Sequence, residues 1–88
     1  MAFDPDYSVP VGEFIEEELA YRKIKKITFA KAIGKSPKWV SEFISGKQTL
    51  NAKTALDIES FSNLDAQTLM NLETRHRIFE ERKARRND

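Results

Sequence analysis

Apolar side chains recur at intervals of three and four along almost the whole chain, and no stretch alternates apolar with polar over a convincing length. Val11, Phe14, Ile15 and Leu19 make one stripe, with Glu13, Glu16, Glu17 and Glu18 opposite. This spacing predicts a first helix over residues 11–22, opened near Pro10 and closed near Lys23, with Ile24 as an apolar plug behind it. A second short helix is predicted over 26–33 and a third over 37–45, stopping at Gly46. Asn51 offers an N-cap to a fourth helix carrying Ala55, Leu56, Ile58 and Phe61, which ends near Asn63, a residue that tolerates left-handed geometry. Asp65 can cap a fifth, in which Leu69, Leu72, His76 and Phe79 recur at helical spacing. The expected class is all-α with five helices. Residues 10–79 form the expected domain, between an N-terminal arm (1–9) and a charged tail (80–88) whose one apolar residue is Ala84.

Residues 28–43 are the most specific part of this pattern. Phe29 and Ala30 are spaced to pack inward before Gly34, and Val40 and Phe43 after it. Gly34 suits an abrupt helix end, because a residue without Cβ adopts positive φ at no steric cost. Ser36 can cap the next helix, and Pro37 at its first position misses no backbone hydrogen bond. This is the grammar of a helix-turn-helix, whose second helix enters a DNA major groove.

Charge sharpens the picture. The net charge of +1 hides a segregation: residues 1–21 hold six acids and no Lys or Arg, while residues 22–53 hold nine bases and one acid, Glu42. The remainder carries six bases and seven acids. The basic block coincides with the helix-turn-helix, the footprint of a surface that neutralises phosphates. A solvated face is the bland alternative. An 88-residue chain suits one small domain, for which oligomerisation is a common source of added stability. The absence of cysteine excludes a disulfide framework and thiol chemistry. No apolar run approaches the ~18 residues of a membrane span, and the acidic N-terminus does not read as a secretory signal, so a soluble, cytoplasmic protein is expected.

Placed at 100° intervals, Val40, Phe43 and Ile44 share the inward face of the third helix, and Lys38, Ser41, Glu42 and Ser45 face outward. Lys38 can approach guanine acceptors or a phosphate, Ser41 either, and Glu42 can accept from cytosine N4. Glu42 can equally pair with Lys38 four residues earlier. Trp39 lies on the flank, either covering the core edge against Phe43 or stacking at the groove. Lys35, Ser36, Lys47 and Gln48 sit at the turn and just after the helix, where cations and backbone amides meet phosphates. Lys26, with Lys25, brings a mobile point charge to the start of the second helix.

Other chemistries fail. Gly34-Lys35-Ser36 ends like a phosphate-binding P-loop, but Phe29 stands where the earlier Gly is required, and no strand precedes it. His76 is the only histidine and lies at core spacing, so neither a His-based metal cluster nor a triad can be built. No enzyme, metal or cofactor is expected.

Gly12-Glu13-Phe14-Ile15-Glu16-Glu17-Glu18-Leu19, then Arg22, Ile24, Ala30, Gly34, Ser36-Pro37-Lys38, Val40-Ser41-Glu42, Gly46-Lys47 and Ala55-Leu56, together resemble the Xre/Cro-like helix-turn-helix proteins. With Leu69-Met70-Asn71-Leu72-Glu73 the chain is most similar to the HigA-type (VapI-like) antitoxins of bacterial toxin-antitoxin modules, in register from Gly12 to about Phe79. The resemblance implies a lambda-repressor-like fold, an operator in double-stranded DNA, repression of its own operon, and neutralisation of a small basic ribonuclease toxin. There are departures. Lys23 stands where the family usually has Gly, Lys25 and Lys26 replace a Ser-Gln pair, Lys35 replaces an apolar turn residue, and Ser45 replaces Asn. The large aromatic common near Leu69 is absent. A homodimer is expected through a Leu69, Leu72 and Phe79 stripe that so small a domain cannot wholly cover. The alternative is a protein-interaction module or phage-type regulator with weak or no operator binding and no toxin partner.

Overall fold

The computed structural model describes residues 8–86 as five α-helices: α1 (Val11–Tyr21), α2 (Lys26–Ala32), α3 (Pro37–Ile44), α4 (Ala52–Ser62) and α5 (Ala66–Arg86). Residues 1–7 of the arm and 87–88 of the tail lie outside the described residues.

The first three helices stop by one device. Behind α1, the N–H of Lys23 donates to the Ala20 carbonyl and that of Ile24 to Leu19; behind α2, Gly34 donates to Lys31 and Lys35 to Ala30; behind α3, Gly46 donates to Phe43 and Lys47 to Glu42. Each pair satisfies carbonyls that a helix end leaves without partners, and each needs a left-handed residue at the pivot. Gly34 (φ 70°) and Gly46 (φ 85°) supply it freely. Lys23 takes φ 58° despite its Cβ, at a cost of about 1–2 kcal/mol. Asn63, at φ 63°, ends α4.

Three helix starts are capped by side chains. Ser36 Oγ accepts from the Trp39 N–H at 3.0 Å, Asn51 Oδ1 from Thr54 at 2.8 Å, and Asp65 Oδ2 from Thr68 at 2.9 Å. Each such cap stabilises its helix by about 1 kcal/mol. α1 and α2 begin at Pro10 and Lys25 without one.

The core gathers Val11, Ile15 and Leu19 of α1, Phe29 and Ala30 of α2, Val40 and Phe43 of α3, Ala55 and Ile58 of α4, and Leu69 of α5, with Ile33 and Leu50 from the connections. The Phe29 and Phe61 rings tilt together at 6.1 Å. Ala30 is buried where α2 meets α3, and Gly12 lets α1 lie directly on the backbone of α3 at Phe43.

Two expectations are corrected here. Leu56 is 54% exposed, and Thr54 takes the buried place beside Ala55 and Ile58, because the stripe 54, 55, 58 faces the core and Leu56 lies about 100° off it. Leu69 is completely buried in the core of its own chain and contributes nothing to an exposed stripe. Its neighbours on the buried face of α5 are Glu73 and His76; Leu72 and Phe79 are half-buried at the edge, and Ile78 is exposed. His76 Nδ1 lies 3.3 Å from Ser8 Oγ, and its Nε2 lies 3.6 Å from Glu80. Beyond Phe79 the helix continues with every side chain exposed to Arg86.

Candidate nucleic-acid interface

The surface presented by α3 follows from how α3 is held. Val40 and Phe43 are buried and Ile44 packs beside them, so Lys38, Ser41 and Ser45 are left exposed on the opposite side, with Glu42 half-buried at the margin. Trp39 stacks on Phe43 with ring centroids 5.0 Å apart and an interplanar angle of 17°. Its other contact is with Lys35, whose Nζ stands 5.1 Å from the indole centroid. The indole therefore covers the core edge and also steadies the turn cation, a contact worth about 0.5–1 kcal/mol at an exposed site.

Glu42 does not form the ion pair with Lys38 that its spacing allowed. Its Oε1 accepts a hydrogen bond from Gln48 Nε2 at 3.1 Å, and Lys38 makes no ion pair among the described residues. The pairing with Lys38 is thus replaced by one with a loop residue six positions on. Ser45 turns its hydroxyl back to donate to the Glu42 carbonyl at 3.0 Å, whereas Ser36 uses its oxygen as the α3 cap and keeps its proton available. Ser41 and Lys47 are exposed. Lys26 stands apart from this cluster, with its Nζ 3.0 Å from Glu16 of α1.

Three of the nine bases of residues 22–53 have carboxylate partners: Arg22 with Glu18, Lys26 with Glu16, and Lys53 with Asp57. Arg22 also donates to the Ser62 carbonyl, joining the end of α1 to the end of α4. Lys23, Lys25, Lys31, Lys35, Lys38 and Lys47 make no ion pair among the described residues. Unpaired cations on both sides of α3 raise the local anion concentration, which is what a polyphosphate ligand requires. Among the described residues, no three His, Cys, Asp or Glu side chains are grouped to hold a metal ion, and no helix is long and apolar enough to cross a membrane.

Sequence reasoning missed Glu73 and Arg77. Glu73 is buried on α5 and accepts from the Leu50 N–H through Oε2, while its Oε1 takes the Arg77 Nε–H at 3.1 Å. Arg77 Nη2 donates onward to the Gln48 carbonyl at 3.2 Å. The available signal was an acid on the same face as Leu69 and His76, with a base four residues later.

No family model and no curated protein sequence matches the chain. Solved structures do. An addiction-module antidote protein of the HigA family from Coxiella burnetii superposes with a TM-score of 0.79 at 25% identity, over 86% of this chain and 84% of that one. The Pseudomonas aeruginosa antitoxin HigA, solved with the higBA promoter, gives 0.81 at 22% identity over 89% and 86%. The chain has the HigA-type antitoxin fold. The antitoxin GraA shares it, with a TM-score of 0.74 at 21% identity over 98% of this chain and 87% of that one. Within the HigA-type fold the departures noted in the sequence acquire a geometry: Lys23 occupies a left-handed pivot without glycine's freedom, and Lys35 rests on Trp39.

Proposed function

We propose that this chain is a sequence-specific DNA-binding repressor, acting as the antitoxin of a HigBA-type module that represses its own operon and neutralises a ribonuclease toxin. The observation that carries the reading is the set of lysines on and beside α3, Lys35, Lys38 and Lys47, that make no ion pair among the described residues, on a fold that a Pseudomonas HigA uses in company with a promoter. In this reading Lys35, Ser36 and Lys47 hold phosphates, release counterions and set the register. Lys38, Ser41 and the Gln48-held Glu42 reach base edges, while Ser45 and Trp39 support them. Lys26 reaches a phosphate only by leaving Glu16, an exposed pair that contributes little.

A symmetric dimer, formed through the edge of α5 at Leu72 and Phe79, would set two copies of α3 about 34 Å apart, one turn of DNA. The toxin site is assigned to the acidic side of α1, where Glu13 and Glu17 make no ion pair among the described residues and Tyr21 is 85% exposed. The protein works in the cytoplasm and has no catalytic role.

The test is selection of a preferred duplex from a random 20-bp library by the intact chain, followed by anisotropy titration of that duplex and its scramble in graded salt. The reading expects a preference of at least about a thousandfold together with a log-log salt slope near −0.9 per phosphate contacted. Equal binding to both duplexes would overturn it. Co-purification with the product of the adjacent reading frame tests the toxin role separately.

A further inference from the structure

We infer that the Glu73–Arg77 pair of α5 is a positioning device for the DNA-reading face, holding the loop behind α3 so that Gln48 and Glu42 act as one reading unit. The inference rests on the DNA-binding function proposed above and assigns a role to two residues outside the recognition helix.

Glu73 and Arg77 grip the loop at two points. One carboxylate oxygen takes the Leu50 N–H, and the other takes Arg77 Nε–H, whose fork also reaches the Gln48 carbonyl. The Glu73 side chain is 6% exposed, so water cannot solvate its charge, and Arg77 is the cation that balances it. Leu50, 4% exposed, roots the same loop in the core. The backbone of Gln48 is therefore held from α5, 29 residues away in sequence. Its side chain in turn holds Glu42 on α3.

The chemistry left over suits base edges. The Gln48 amide spends one N–H on Glu42, which leaves its second N–H and its carbonyl oxygen, the donor and acceptor that adenine N7 and N6 require. Glu42 keeps an oxygen for cytosine N4. A free glutamate among phosphates would be repelled and mobile; one held by an amide is fixed in place. Lysine cannot substitute for Arg77, because a single ammonium does not offer two donors in the planar fork that spans Glu73 and the Gln48 carbonyl.

The test uses the intact chain, the selected 20-bp duplex and its scramble. Arg77→Lys is expected to lower the affinity ratio between the two duplexes about tenfold while leaving scramble affinity within about twofold. In a Glu42→Ala/Gln48→Ala background the same change should have no further effect on the ratio. If Arg77→Lys fails to fold, Glu73→Gln replaces it, since it keeps an acceptor for Leu50 and loses the charge that Arg77 balances. An unchanged ratio in a folded variant would overturn the inference. So would equal loss on both duplexes, persistence of the loss in the double-alanine background, or unfolding of both variants, each of which makes the pair a stability element only. A wild-type chain that prefers no duplex removes the proposed function itself, a result read before any variant is made.

Discussion

Gly12 of α1 lies against the carbonyl group of Phe43 in α3, so closely that a Cβ on Gly12 would overlap that oxygen and stand 2.8 Å from the Ile44 Cα. Both obstacles are backbone atoms of a helix, which cannot swing aside. Gly12→Ala should therefore push α1 off α3 and cost at least about 1–3 kcal/mol. Differential scanning calorimetry should show a fall of about 4–8 °C in midpoint per kcal/mol lost. Gly34→Ala is the contrast: nothing lies within 4 Å of its Cβ, so its loss of about 1–2 kcal/mol comes from the φ of 70° alone.

The strain at Lys23 gives an expectation of opposite sign. Lys23→Gly relieves a left-handed Cβ at φ 58° but loosens the unfolded chain, and the balance should be a gain of about 0.5–1 kcal/mol. Urea unfolding with an unchanged m value would register it as a higher midpoint. A lower midpoint would mean that the Lys23 side chain contributes more than its backbone strain costs.

Burial separates the roles of two α5 residues. Leu69→Ala should cost about 2–5 kcal/mol, as for a core leucine, without a direct effect on association. Phe79→Asp, at a half-buried side chain on the edge of α5, should shift light scattering from dimer to monomer. An intact chain that is monomeric at every concentration would refute the dimer.

The lysines around α3 should divide by role. Lys35→Ala and Lys47→Ala should weaken binding to all duplexes alike and flatten the salt slope by about one unit each, whereas Lys38→Ala should change which duplex is preferred. Anisotropy titrations at several salt concentrations would distinguish these outcomes. Lys35→Ala should also lose the cation on Trp39, visible as altered indole fluorescence.

What the sequence alone determined is the local grammar: five helices, the caps at Ser36, Asn51 and Asp65, the left-handed stops at Gly34, Gly46 and Asn63, and an α3 with Val40 and Phe43 inward. These depend on interactions within about six residues, so spacing and residue type suffice to read them. Tertiary structure decided what depends on which helix covers which face. Thr54 rather than Leu56 is buried, Leu69 belongs to the core, Gly12 is needed for a crossing with α3, and Glu42 is held by Gln48 rather than Lys38. The Glu73 contact with Leu50 spans 23 residues, and helical periodicity within α5 carries no information about the loop it meets. A periodic pattern says which side of a helix is turned inward; only the assembled helices say what that side touches.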